Sequence, residues 1–433
     1  MKKIIAMLLA AMMILGLCAC TVEDTSDQVE ITLWTYPIGG WGDQNTVNEL
    51  IKGFEAANPG IKVKVEYLTY DNGDDKVNTA IEGGQAPDII MEGPERLVAN
   101  WGAKGLMVDL SDMIDATDKA EINAAALKAC YTADGSKCYE YPLVMTAHCM
   151  AINKTVFEAA GAMEHINAET HTWKSVNDFF AAVDKVFAHT NKAVGAVYCA
   201  GQGGDQGTRA LVTNLKGGTF TNAAHTEYTW NSAENIAALE LLKGYQGKGI
   251  EFDASLAGGD EIKQFYQGNL NMAFCWNIAQ QLNPNSANTG AEKTASGDEI
   301  LFLAFPSDST PLLQGGIWGF GIFDNKDAAK IEASKKFIKY MCDSAKTADA
   351  VKAANYFAVR NKAEGTDLSN IWADNAIMAE YNKLMPMLGD YYQVTTNWAA
   401  ARTAWWNMLQ DVGEGEDIAK TVENWAKNAN GQQ

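Results

Sequence analysis

Hydrophobic positions change their spacing along the chain in a way that predicts alternating strands and helices. Val29, Ile31 and Leu33 alternate with Glu30 and Thr32, the period of two of a half-buried strand. A loop over 35–43 follows and carries Tyr36, Pro37 and Trp41. Thr46 and Glu49 have capping-box spacing, and Val47, Leu50, Ile51 and Phe54 then fall on one helical face. Pro59 and Gly60 stop that helix, since proline cannot continue the hydrogen-bond ladder. Ile61, Val63, Val65 and Tyr67 alternate with charges and predict a second strand. Val77, Ala80 and Ile81 mark a second helix that breaks at Gly83 and Gly84, and the run 87–91 reads as a buried strand. Strand, helix, strand, helix, strand is the grammar of a parallel sheet with helices on its faces. Farther on, 271–276 and 317–323 read as short strands. Ser334, Phe337, Ile338 and Met341 share a helix face, as do Ile418, Val422 and Trp425 near the end. Segments 201–207 and 286–297 read as polar loops.

The extreme N-terminus has a different pattern. Lys2 and Lys3 precede an apolar run over 4–17 that ends in Leu17, Cys18, Ala19 and Cys20. A basic start, a short apolar stretch and small residues before a cut make a secretory signal over 1–19. About 20 apolar residues are needed to span a bilayer, so the run is too short for a span. Leu-x-Ala-Cys resembles a bacterial lipobox. It implies that Cys20 is lipidated, with 20–28 as a tether and the protein held at the outer face of the cell membrane. An ordinary cleaved signal is the plainer alternative.

Composition narrows the function. The chain has 433 residues, 47% hydrophobic and 20% charged, which suits a globular protein too long for one core. Its formal charge of −20 argues against nucleic-acid binding, which needs basic surface to displace counterions. Besides Cys18 and Cys20 there are six cysteines, Cys130, Cys138, Cys149, Cys199, Cys275 and Cys342, without zinc-site spacing. Cys130 and Cys138 flank a turn signal at 133–135. They are either joined across a hairpin or buried as thiols. No nucleophile elbow, zincin or Walker motif is present, and no cofactor is expected.

Several segments together resemble a known family. They are Ile31-Thr32-Leu33-Trp34, the helix end at 54–60, 86–90, 105–110, Tyr141-Pro142 with 152–157, 268–276, and Gly315-Gly316 with the helix over 333–341. In this order the chain is similar to the extracellular solute-binding proteins of ABC importers, in the group of the maltose-binding protein. The resemblance implies an α/β, two-lobe periplasmic-binding-protein-like fold. Each lobe would be a mostly parallel sheet flanked by helices, and a hinge would join them. Residues 29–143 and 299–343 would form the first lobe, 144–298 and 344–433 the second. It also implies a monomer that is not an enzyme and hands a carbohydrate to membrane permease subunits. A glycerol-phosphate-type or other small solute is the alternative ligand, and a surface glycosidase a remoter one.

Sugars lay CH faces on aromatic rings and pair their hydroxyls with carboxylates, amides and guanidinium groups. Ligands in open α/β sheets bind beyond the carboxyl ends of the strands. The candidates on those grounds are Tyr36, Trp41 and Asp43 in the first loop, and Trp276 and Trp318 at later strands. The resemblance adds Glu95 and Arg96, matching the family's acid–Arg pair. Glu92 stands where the family has an aromatic, and Thr146 where it has an acid. Tyr198, Gln202, Gln206 and Trp398 complete the set, whereas His148 reads as a packed polar residue. Arg209, Arg360 and Arg402 cannot be placed from the sequence; two of them meeting Arg96 would favour a phosphorylated ligand.

Overall fold

The computed structural model describes residues 28–69, 72–201, 204–278 and 293–431, so the signal, Cys20 and Gln202 lie outside the described residues. The first part follows the predicted grammar. Strand β1 (Val29–Thr35), helix α1 (Gln44–Ala57), β2 (Ile61–Tyr67), α2 (Gly73–Glu82) and β3 (Ile89–Glu92) come in order, and β1 pairs in parallel with both β2 and β3. The cap of α1 differs from the expectation. Asp43, not Thr46, is the N-cap; its carboxylate accepts from the Thr46 amide at 2.9 Å and the Thr46 hydroxyl at 2.8 Å.

The long strand β4 (Tyr141–Asn153) then leads to the second half, with β5 (Gly195–Tyr198), α3 (Gln206–Lys216), β6 (Ile250–Asp253), β7 (Met272–Trp276) and β8 (Ile300–Leu303). The remaining elements used below are β9 (Gln314–Ile322), α4 (Ala328–Cys342), α5 (Thr347–Ala354), β10 (Phe357–Ala358), α6 (Trp398–Glu414) and α7 (Ile418–Ala429). The main sheet runs β8-β4-β9-β3-β1-β2, with β7 and β10 also paired to β4. Helix α3 begins at Gln206, inside the stretch expected to be a loop, so that loop is shorter than its polarity suggests.

Two hydrophobic cores define the lobes. One gathers Ile31, Leu33, Phe54, Ile89, Phe320 and Phe337 under β1–β3 and α4. The other gathers Phe179, Val197, Phe274, Phe302, Trp405 and Leu409. Strands β4 and β9 belong to both: Leu143 and Phe320 sit in the first core, Met150 and Ile317 in the second. These two antiparallel strands are the crossing connection between lobes. The expected boundaries at 299 and 343 shift. Phe302 to Phe305 pack in the second core, and Ala350 to Ala354 in the first, because β8 pairs with the far end of β4 and α5 follows α4.

The turn at 133–135 forms, with Tyr131 bridged to Cys138 and Gly135 at φ +70°. Cys130 and Cys138 are buried free thiols there. Their Sγ atoms donate to the carbonyls of Ala126 and Glu140, both at 3.2 Å, rather than to a disulfide.

Candidate functional site

The wall of the first lobe is built where β3 ends. Glu92 closes the strand, Gly93 follows, and the single turn Pro94–Arg96 carries Glu95 and Arg96 onto the side facing the second lobe. A Cβ on Gly93 would come within 2.8 Å of the Ile317 carbonyl, so this turn lies directly on β9. Arg96 organises the wall. Its Nη1 donates to Glu92 at 2.7 Å, and its Nε donates to Asp74 at 2.7 Å. Glu95 lies 3.9 Å away, and the guanidinium sits 5.1 Å over the Tyr36 ring. The Tyr36 hydroxyl donates to the same Asp74 oxygen. Four predicted residues, Tyr36, Glu92, Glu95 and Arg96, therefore meet, with Asp74 as a fifth member that the sequence reading missed.

Burial dominates the charge states here. It raises the Glu92 carboxyl to about 8, with help from Glu95 and against Arg96. Glu140, fully buried, is raised well above the ordinary range by burial and then by Glu95 and Glu92. Glu92 Oε2 and both Glu140 oxygens lack a hydrogen-bond partner among the described residues.

The wall of the second lobe is built from the start of α3 and one face of α6. Asp205 precedes α3 and takes a bidentate pair from Arg402, Nη2 at 2.8 Å and Nε at 3.0 Å. Arg209 pairs with the same carboxylate and donates from Nε to the Tyr392 hydroxyl at 2.9 Å. The Trp398 ring is half-buried between two cations, with Arg209 at 4.8 Å and Arg402 at 5.8 Å from its centre. Gln206, half-buried at the start of α3, leaves Oε1 without a partner among the described residues.

A short segment joins the walls. Asp390 pairs with Lys128 at 2.8 Å and His225 at 2.6 Å. Tyr391 donates its hydroxyl to Glu95 of the opposite lobe at 2.7 Å. Tyr392 holds Arg209, and Gln393 donates to the Gly315 carbonyl of the hinge strand at 3.1 Å. Hinge residues Thr146 and His148 lie opposite Gly316 and Gln314, and Thr146 Oγ1 and His148 Nδ1 have no partner among the described residues.

Other candidates fall elsewhere, each for a packing reason. Trp41 is a core residue: its ring meets Phe320 edge-on at 5.3 Å and its indole donates to the Ala350 carbonyl at 3.1 Å. Asp43 is occupied as a helix cap. Trp276 is 1% exposed, donates to the Tyr381 hydroxyl at 2.6 Å and packs on Phe265, so it belongs to the second core. Tyr198 is also buried and donates to the Gly204 carbonyl, supporting the loop before α3 rather than facing a ligand. Trp318 remains half-buried but stacks on Tyr356, with centroids 5.0 Å apart at 13°. Gly316 leaves room for that indole rather than for a ligand, since a Cβ there would sit 2.0 Å from it. Of the arginines that the sequence could not place, Arg209 and Arg402 meet at Asp205, not at Arg96. Arg360 is held in the first lobe by Asp118 at 3.0 Å and Asp343 at 2.8 Å. The adjacent tyrosines 391 and 392 were a legible signal that went unread.

Two α/β lobes crossed by a pair of hinge strands, with polar and aromatic walls facing each other, define a two-lobe ligand-binding protein. The model of the bacterial extracellular solute-binding protein family matches residues 49–380, more than half of the chain, and the chain belongs to that family. Solved structures give the same fold. The cyclic alpha-maltosyl-1,6-maltose binding protein of Arthrobacter globiformis has a TM-score of 0.75 at 17% identity, over 93% of this chain and 98% of its own. An ABC substrate-binding protein of Listeria monocytogenes in complex with cycloalternan has a TM-score of 0.68 at 21% identity, over 94% and 100%. The GacH receptor of Streptomyces glaucescens, solved unliganded and with acarbose, has a TM-score of 0.67 at 17% identity, over 93% and 97%. Among the described residues no helix is long and apolar enough to cross a membrane, and no cluster of His, Cys, Asp and Glu suits a metal ion.

Proposed function

We propose that this protein is the substrate-binding lipoprotein of an ABC importer and captures a sugar or oligosaccharide between its lobes. The observation that carries the reading is the pair of facing walls. One presents Arg96 with Glu92 and Glu95, the other Trp398 between Arg209 and Arg402, and Tyr391 to Glu95 is a direct bond from lobe to lobe. Carboxylates and guanidinium groups suit sugar hydroxyls, and the indole suits a pyranose face. The oligosaccharide ligands named for the similar structures support the same class. The lobes close on the ligand, and the permease recognises the closed form, so contacts from both walls supply the differential affinity that closure requires. The lipid on Cys20 keeps the monomeric protein near its permease; two acyl chains are needed for a stable anchor.

A thermal-shift screen over mono- and oligosaccharides tests the binding. Ligand at 100 times Kd stabilises the fold by about 2.7 kcal/mol. Trp398→Ala removes the shift while the apo protein unfolds at nearly its usual temperature. A panel that moves no melting temperature, or full binding by both Trp398→Ala and Arg96→Ala, overturns the reading. Anchoring has its own test: Cys20→Ser releases the protein from the membrane fraction.

A further inference from the structure

The wall of the second lobe has a charge imbalance that a neutral sugar leaves unexplained. Among the described residues, the ion pairs of two guanidinium groups, Arg209 and Arg402, go to one carboxylate, Asp205. Arg209 is fully buried, and its Nη2 has no hydrogen-bond partner among the described residues, although a guanidinium offers five N–H donors. Asp205 is the main carboxylate acting on Arg209 and on its partner Tyr392. His148 on the hinge strand senses the same field: burial and then Arg209 lower its pKa to about 4, Arg402 acts the same way, and Asp205 alone opposes. Neutral at pH 7, His148 adds no charge, but its Nδ1 is unpartnered among the described residues. Helix α3 starts at this point and contributes the partial positive charge of its N-terminus. The opposite wall has the other sign, because Arg96 is set against both Asp74 and Glu95, while Glu92 keeps its proton at neutral pH. A buried cation in excess of its counter-ions is costly unless an anion accompanies it.

Resting on the sugar-binding reading, we infer that the ligand carries an anionic substituent, a carboxylate or a phosphate, seated against Arg402 and Arg209 beside the Trp398 ring. Arg402, with a quarter of its side chain exposed, meets the anion first. Arg209, behind Trp398, supplies field, and the planar guanidinium fork matches the geometry of either anion.

Calorimetry on the full chain with matched pairs of probes tests this. The pairs are xylotriose with and without one glucuronic acid substituent, maltotriose with and without a terminal glucuronate, and maltose against maltose 6′-phosphate. At least one acidic member is expected to bind ten-fold or more tightly than its neutral partner, and that advantage shrinks several-fold between low and moderate salt. The uronate and phosphate arms identify the source of the anion. Arg402→Gln lowers the acidic ligand's affinity at least ten-fold more than the neutral one's. Arg209→Met behaves the same way, and if that buried change prevents folding, the partly exposed Arg402 variant still decides. Equal binding within every pair, tighter binding of the neutral members, or an acidic preference that survives the substitutions overturns the inference. Neutral sugars that bind without any acidic preference sink this inference alone, whereas a protein that binds no sugar of either kind also loses its proposed function.

Discussion

Glu92 shows how one side chain ties pH to stability. Its carboxyl is ordinary at 4.5 when unfolded and is raised to about 8 in the fold, by burial first and Glu95 second. Between those values the folded chain keeps a proton that the unfolded chain has lost. The contribution is therefore complete below about pH 4.5 and is lost as pH rises through about 8. Glu92→Gln keeps an acceptor for Arg96 and removes the titration. Denaturant melts at pH 5 and pH 8 should show the wild type losing stability relative to this variant, and parallel profiles would refute the assignment. Arg96→Ala does a different kind of damage, because it takes the donor away from Asp74 and from the buried Glu92 carboxyl, which keeps its proton at neutral pH. Hydrogen bonds to charged groups are worth about 1.5–3 kcal/mol, and Arg96 is 22% exposed; a loss of about 2 kcal/mol in denaturant unfolding is expected. Arg96 and Glu95 were readable through the family resemblance, which places an acid–Arg pair just after this strand. Asp74 and Arg209 were not, since each gains its role from a partner 22 or 183 positions away, and no local period encodes that.

Among the elements, the hinge strands carry the tightest steric demands. A Cβ on Gly315 would come within 1.9 Å of the Thr146 carbonyl across the ladder, and one on Gly316 within 2.0 Å of the Trp318 ring. Gly315→Ala must part the two strands, so it is expected to destabilise more than Gly316→Ala, which can expel the indole from Tyr356 at about 1–3 kcal/mol. Gly60→Ala meets nothing within 4 Å and is the near-neutral control for the same chemical-denaturation series. The sequence foretold β1 to β3 and their helices well, because period-two and period-3.6 patterns are local. It misjudged the aromatics for the same reason. Trp41, Trp276 and Tyr198 look alike on a loop or strand end whether they turn inward to Phe320, Phe265 and Gly204 or outward to a ligand. The start of α3 inside a glycine-rich stretch was hidden in the same way, since polarity alone suggested a longer loop.

For the molecule as a whole, the two cores make most of the chemistry inaccessible until the protein unfolds or opens. The six cysteines among the described residues are buried thiols, and burial raises the pKa of each of them. Thiolate is the reactive form, so a thiol reagent should label native protein slowly and all six sites once denatured. A mass two units low for a Cys130–Cys138 link would contradict the structure. Tyr391→Phe removes the bond to Glu95 across the lobes. A net loss of about 1 kcal/mol from the closed form would weaken sugar binding roughly five-fold and enlarge the apo protein in solution scattering, with secondary structure unchanged. The run from Asp390 to Gln393 extends that point. Its four neighbouring side chains fasten to Lys128 and His225, Glu95, Arg209 and Gly315. The Tyr392 and Gln393 ties hold the run to its own lobe and to the hinge, whereas Tyr391 reaches across, so parting the halves releases one phenol while its neighbours stay put, and the run works as a latch mounted on the second lobe with a single catch.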